Sequence, residues 1–222
     1  MTIQDFRDLK EEILVYLRNN LHSSDPKNRM TLGSEVGTAD GTATYTMTSV
    51  SGLSAVSGIS VNSVVQTNFI DYIVDYKNTT PRTSPSITFT STPVSGQEVI
   101  IYYWTGTEWI YPDFPKNSLS MNSFPRIAFD VITQTREPFG IGGTVFKSDI
   151  TFQMNAYSDK HYEVDEYLHK AGSVFMKNAK GFNSFEFVIP MGLGPSGKVP
   201  GRNEDIITQS QDFMLKNIFD EV

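Results

Sequence analysis

No cysteine occurs in the 222 residues. That excludes a disulfide framework, a thiolate nucleophile and a cysteine-ligated metal, and it fits an intracellular product. Histidine is scarce as well, with only His22, His161 and His169. The last two are eight positions apart, roughly 80° out of line on a helix turning 100° per residue, which is poor spacing for a metal pair. Positive charge is also short: Lys and Arg number 18 against 25 Asp and Glu, giving a net charge of −7 and a pI near 4.9. A general affinity for nucleic acid needs clustered Lys and Arg, so this balance argues against it. No apolar run approaches the ~18 residues of a membrane span. The start, Met-Thr-Ile-Gln-Asp-Phe-Arg, is charged from its fifth residue and lacks an apolar signal core. The expectation is a soluble protein of a cytoplasm with no membrane partner.

What is present is ordinary folding material, 39% hydrophobic and 12% aromatic. The length allows one large domain or two small ones. Ile3, Phe6, Leu9, Ile13, Leu14, Leu17 and Leu21 recur at three- and four-residue steps and predict an amphipathic helix. Thr2 and Asp5 resemble a capping box, and Pro26 ends the stripe. From about Leu32 to Tyr111 the chain turns to Thr, Ser, Val, Gly and Tyr with frequent turn signals. Strands are expected at 42–49, 60–66, 69–76, 86–91, 98–104 and 108–111. Asp40-Gly41 reads as a two-residue hairpin, and Pro93-Val94-Ser95-Gly96 as a turn folding 87–90 back onto 99–103.

Alternating residues then predict half-buried strands at 124–133 and 148–157, separated by a Gly-rich excursion over 136–144 that is too flexible for a core. A helix over 158–179 follows, capped by Ser158 or Asp159, with Val164, Tyr167, Leu168, Ala171, Val174 and Phe175 on one face and Gly181 closing it. Residues 185–189 read as another strand, 191–203 as a mobile loop and 206–219 as a long strand. The plan is α, then a β block, then β-β-α-β-β. This is an α+β fold with a helix-backed antiparallel or mixed sheet, interrupted by a small antiparallel β-sandwich or barrel. On this partition 1–30 and 117–222 form the core and 31–116 the insertion, because the first helix needs the C-terminal sheet to cover its apolar face.

The chemistry-bearing motifs are thin. Gly192-Leu-Gly-Pro-Ser-Gly197-Lys198 matches the first part of a phosphate loop. Val199 replaces the metal-binding hydroxyl, Pro200 follows, and Pro195 removes an amide, so a flexible loop is the better reading. Glu163, Asp165 and Glu166 sit on the wet side of the predicted helix rather than in a desolvated pair. Asp71 and Asp75 read as edge-strand charges. Trp104, Trp109, Tyr102, Tyr103 and Tyr111 would make a sugar-stacking platform if exposed, and β-block core otherwise. Asn78-Thr79-Thr80 is a glycosylation sequon, idle without secretion. Phe139 and Ile141, apolar on a glycine hinge, are the exception, since an exposed apolar tip either meets a partner or collapses onto the domain's own surface. No catalytic, cofactor or metal residues are assigned.

The order of helix, strands, Gly-rich excursion, strand, helix, strand, long loop and strand resembles the tail terminator, or tail completion, proteins of long-tailed phages and related archaeal viruses. The residues carrying it are Pro125-Arg-Ile-Ala-Phe-Asp-Val-Ile132 and Ser148-Asp-Ile-Thr-Phe-Gln-Met-Asn-Ala-Tyr-Ser158. The segment Asp159–Ala179, with its Tyr162-Glu-Val-Asp-Glu-Tyr-Leu168 start, and Asp205–Phe219 complete it. The resemblance implies a structural virion protein: a homohexameric ring that caps the tail tube and joins it to the head connector, made in the host cytoplasm and retained at the neck end of the tail. Its partners would be further copies of itself, the tail tube protein and the connector. Arg136, Phe139, Ile141, Lys147, Lys198 and Arg202 are the expected contacts to a neighbouring subunit or the tube. A head–tail connector or neck protein is the nearest alternative. A carbohydrate-binding or adhesion β-module is the alternative of another class, and an enzyme using Lys198 ranks third.

Overall fold

A computed structural model describes residues 6–48, 50–68, 70–75, 84–112, 114, 124–138, 145–177, 187–199 and 205–220. The chain divides into two compact units, Met1–Leu17 with Trp109–Val222, and Arg18–Glu108. We call these the α+β unit and the β unit. The units break at 17/18 and 108/109, whereas the sequence partition breaks at 30/31 and 116/117.

Helix α1 (Phe6–Leu21) buries Leu9, Ile13, Leu14 and Leu17, the stripe its periodicity predicts. Its last residues, from Arg18, belong to the β unit. A short 3₁₀ turn, His22–Ser24, follows, and the buried Asp25 then organises the next bend. Its carboxylate accepts the Lys27 amide at 3.2 Å, the Arg29 amide at 2.5 Å and the Arg29 guanidinium at 2.8 Å. The helix ends because Pro26 disfavours helical backbone before it, and Asp25 satisfies the amides released there.

The β unit holds β1 (Met30–Thr38), β2 (Thr44–Thr46), β3 (Leu53–Val61), β4 (Val64–Gln66), β5 (Tyr72–Asp75), β6 (Ser86–Phe89) and β7 (Glu98–Gly106). They form two antiparallel sheets, ordered β1-β7-β3-β4 and β2-β6-β5, and neither closes into a barrel. Val99, Ile101 and Ile59 of the first sheet and Ile87, Phe89 and Tyr72 of the second are buried, as a sandwich requires. Tyr45 on β2 reaches β1, where its hydroxyl donates to Glu35 at 3.1 Å. Gly37 sits under that hydroxyl, and a Cβ there would overlap it.

Three sequence expectations are corrected here. Residues 60–66 are a hairpin, not one strand, because Asn62 and Ser63 both adopt positive φ, 48° and 66°, and reverse the chain. Asp40-Gly41 does turn, with Asp40 accepting the Thr42 amide at 2.8 Å. Yet β1 pairs with β7 and β2 with β6, so the turn carries the chain between sheets. Pro93–Gly96 likewise links β6 to β7 across sheets rather than within a hairpin. Strand β1 itself, from Met30, has no counterpart in the sequence reading.

The α+β unit resumes at Trp109. It holds β8 (Ile110–Tyr111), β9 (Arg126–Pro138), β10 (Val145–Ser158), α2 (His161–Lys177), β11 (Phe187–Leu193), β12 (Gly197–Lys198) and β13 (Ile207–Asp220). One mixed sheet runs β11-β13-β10-β9-β8, with β12 also on β13 and β8 parallel to β9. The long terminal strand β13 pairs with β10 from Ser158↔Ile207 to Val145↔Asp220. The expected excursion over 136–144 begins as strand: Arg136 to Pro138 zip onto Ser148 to Phe146, and 139–144 lie outside the described residues. The expected loop over 191–203 is also partly strand, since Met191–Leu193 completes β11 and Gly197–Lys198 pairs with β13. Pro190 and a bulge at Met191 hide this continuity from a periodicity search.

Helix α2 lays Val164, Tyr167, Leu168, Ala171, Gly172 and Phe175 on the sheet. Ser158 serves its start, accepting the Lys160 amide at 3.3 Å while donating to Glu163 at 2.5 Å. Gly181 lies outside the described residues. Phe152 is the centre of the packing. It stacks on Phe175 with centroids 5.3 Å apart and meets Phe129 at 5.4 Å and Phe213 at 6.0 Å. Tyr16 of α1 meets Phe175 edge-on at 6.0 Å and donates its hydroxyl to the Val174 carbonyl at 2.9 Å. Truncating Phe152 leaves a void that its three aromatic neighbours, Phe129, Phe175 and Phe213, cannot close without shifting. Phe152→Ala should therefore lower unfolding stability by about 3–5 kcal/mol in denaturant titrations, against about 1 kcal/mol or less for the exposed Ile132→Ala.

Candidate subunit-contact surface

Among the described residues, the expected contacts Arg136, Lys147 and Lys198 do not form one patch. Arg136 stands exposed on β9 opposite Ser148. Lys147 is its near neighbour on β10 and pairs with Asp149 at 3.2 Å. Lys198 on β12 is exposed and pairs with Asp205 at 2.6 Å. Register separates the groups: Lys147 faces Ile218 on β13, while Lys198 faces Ile207 beside Ser158. At about 3.4 Å per residue along β10, the two ends lie roughly 37 Å apart. Phe139, Ile141 and Arg202 fall outside the described residues. Exposed pairs such as Lys198–Asp205 contribute about 0–1 kcal/mol, so these side chains suit rim contacts rather than anchors.

One face of the sheet is covered by α2; the other is polar around Gln153 and apolar toward Tyr157, which is buried with Phe124, Ala128 and Ile206. Residues opposed across a ladder share a face. Phe152 is opposed to Phe213 and Met154 to Phe129, on the side of α2. Gln153 is opposed to Asp130 and Asp212 on the other side. Its amide donates to Asp212 at 2.9 Å and accepts from Asn155 at 3.3 Å. Lys10 pairs with Asp130.

Sequence reading missed the apolar margin of this unit. Ile189, Met191 and Leu193 on edge strand β11 are 39%, 55% and 63% exposed, and Met176 on α2 is 52% exposed. Between α2 and the strands lies a cleft of about 380 Å³ lined by residues including Asp165, His169, Ser173, Met176, Leu193 and Gln211. Its floor depends on Gly172, where a Cβ would sit 2.8 Å from the Gln211 amide oxygen. The signal was available in the alternation Ile189, Met191, Leu193, but Pro190 and Gly192 made it look like loop.

The other candidates resolve into structure. Gly192 to Lys198 spans the ends of two strands, and no helix starts at Lys198, so the phosphate-loop geometry is not built. Trp104 and Trp109 are 9% and 1% exposed. Trp104 packs edge-on against His22 at 5.8 Å, and Trp109 against Tyr167 at 5.7 Å, so neither offers a stacking face. Tyr111 carries the Arg126 guanidinium over its ring at 3.7 Å. Among the described residues no three His, Asp or Glu converge as a metal site. Glu163 is held by Ser158 and by Lys160 at 2.9 Å, and Glu166 by Lys170 at 2.6 Å.

One buried polar cluster deserves a chemical test. In the β unit, His22 Nε2 lies 2.7 Å from Ser54 Oγ and 3.7 Å from the Glu108 carboxylate, which also meets Arg18 at 3.1 Å. Arg18 donates to the Ser54 carbonyl at 3.2 Å. A nucleophilic triad needs the carboxylate on the second ring nitrogen and an accessible serine. Here serine and carboxylate face the same nitrogen, Nδ1 has no hydrogen-bond partner, and the imidazole side chain is 0% exposed. Burial, reinforced by the Arg18 charge, pushes the His22 pKa down to about 3. The cluster is a neutral structural clasp.

The depressed pKa fixes a sign. Between pH 6.5 and about 3 the unfolded chain binds a proton at His22 and the folded chain does not, so stability conferred by neutral His22 is complete above 6.5 and declines as pH falls. His22→Gln, which keeps an amide beside Ser54, should flatten the stability-versus-pH slope by up to about 1.4 kcal/mol per pH unit between pH 6 and 4. Denaturant melts of both proteins at four pH values read this directly, and identical slopes would refute it. Set against known proteins, the chain matches no family model and no curated relative.

Proposed function

We propose that the chain is a structural virion protein, a tail terminator whose copies close into a homohexameric ring on the end of the tail tube and present a face to the head connector. The observation carrying this reading is the single sheet of the α+β unit, covered by α2 on one side and lined by Gln153, Asn155 and Asp212 on the other. A ring subunit needs two different, complementary surfaces that close by rotation. One is the apolar margin of Ile189, Met191, Leu193 and Met176. The other is the exposed length of β9 from Thr135 to Pro138 on the opposite edge of the sheet. Pro190 and the bulge at Met191 disrupt β11 as a hydrogen-bonding edge, so this contact works through side chains. Arg136, Lys147 and Lys198 supply rim contacts, and the β unit decorates the particle. A head–tail connector would use the same surfaces. The buried Trp104 and Trp109 weigh against a glycan-stacking module.

Native mass spectrometry of the chain, alone and with purified tail tubes, tests the reading: six copies should be retained per tube end. Met191→Asp with Leu193→Asp should cut tube-bound rings at least about tenfold, since each loses an apolar contact worth roughly 1–2 kcal/mol, while the monomer's circular dichroism is unchanged. Chains that stay monomeric in the presence of tubes, or are missing from the capsid–tail junction in virion images, would remove the proposal.

A further inference from the structure

The edges of the described sheets are treated unequally. Strands β2, β4, β5, β8 and β12 are short, between two and four residues. Edge strand β11 carries Pro190 and a bulge, and the free part of β9 carries Arg136, Glu137 and Pro138. Such devices block unwanted strand pairing. Strand β1 has none of them. It is nine residues long, pairs with β7 along its whole length without a register shift, and no described strand pairs with its other side. It contains no proline, no lysine and one charge, Glu35, whose carboxylate accepts from Tyr45 at 3.1 Å and from the Thr48 hydroxyl at 2.6 Å.

The ladder shows which backbone groups are free. The Ala39 amide donates to the Gln97 carbonyl at 2.9 Å, and the Thr107 amide to the Arg29 carbonyl at 3.3 Å. In an antiparallel pair the hydrogen-bonded residues alternate, so odd-numbered residues of β1 face β7. The amides and carbonyls of Leu32, Ser34 and Val36 therefore point outward along the open edge. The side chains of Leu32 and Val36 are 52% and 64% exposed.

We propose that β1 pairs with β1 of a second copy, antiparallel about Ser34, joining the two four-stranded sheets across a two-fold axis. The strand is self-complementary in that register. Ser34 meets Ser34, each Leu32 meets a Val36, and all nine residues overlap. Each Glu35 falls opposite Gly33, which carries no charge to repel it, with the Tyr103 ring lying over that glycine. A register centred on Glu35 would oppose like charges, and one centred on Gly33 would leave Leu32 against Ser34. The outward free amides meet outward free carbonyls, giving the two copies hydrogen bonds and a pair of apolar cross-strand contacts. This contact lies in the β unit and is independent of the ring proposed for the α+β unit.

Sedimentation equilibrium of the full chain should show a reversible twofold mass step. Ser34→Pro removes an outward amide that β7 does not use, and should raise the dissociation constant of that step at least about tenfold with the thermal melt unchanged. If proline lowers the melt, Leu32→Lys with Val36→Lys, both exposed, takes its place. In a chain without cysteine, Ser34→Cys should link two copies on mild oxidation faster than the exposed Val94→Cys. Directly opposed Cα atoms in such a pair are ~5.5 Å apart, within disulfide reach. Sixfold species formed by the α+β unit would persist in Ser34→Pro, so the two contacts separate. A twofold step absent from the parent, a step unchanged by both edge variants, or Ser34→Cys linking no faster than Val94→Cys overturns the proposal.

Discussion

The stacked contact of Phe152 and Phe175 is the constraint on which the α+β unit depends. Phe152 is fully buried in the middle of β10, the strand flanked by β9 and β13 along most of its length. Through it Phe129 and Phe213 are drawn to one face of the sheet, and through Phe175 the helix α2 and Tyr16 of α1 are added. Aromatic pairs at these separations prefer defined angles, so the cluster sets the position of both helices as well as burying area. The opposite face is mixed: Gln153, Asn155 and Asp212 are cross-linked by their own hydrogen bonds, and Ala128 and Tyr157 are buried beside them with Phe124 and Ile206.

The β unit solves a different problem, since its two sheets bury each other's faces and, among its described residues, no strand is backed by a long helix within the unit. Its sandwich is held by Val99, Ile101, Ile87 and Phe89 in the interior, and by glycines that let tyrosines lie on the strand β1. Its chain ends carry Arg18 and Glu108, and the ion pair between them, with His22 and Ser54 alongside, ties the start of the unit to its end. The cost of burying this charged group is offset by the pairing and by the neutrality of His22. What the two units share is a disparity among edges. Most are short, bulged or charged, and surfaces left open are the ones a partner can use.

Much of the fold was legible in local pattern. The stripe from Leu9 to Leu21 and the face from Val164 to Phe175 are helical because their apolar spacing repeats with the helix. The alternation around Phe129, Phe152 and Phe213 marks strands for the corresponding reason. Turns were legible as turns, yet their partners were not. Asp40-Gly41 and Pro93–Gly96 bend the chain as their residues demand, but strand pairing is decided by residues far along the chain. Strand β1 was passed over because Gly33 and Gly37 weaken its propensity, and their reason, the rings of Tyr103 and Tyr45, lies on other strands. The expected contacts Arg136, Lys147 and Lys198 are legible in the sequence only as charges, whereas register sets Lys198 at the opposite end of the sheet from Arg136 and Lys147.

By itself the amino-acid sequence determined the α+β class, the helices, the long terminal strand and the absence of cysteine chemistry, since each rests on composition or on spacing within a short window. Tertiary structure decided which sheet each strand joins, that both tryptophans are buried, that His22 is neutral, and which strand edges stay open. Those properties come from long-range pairing and from the loss of water around particular side chains, and no local window contains either.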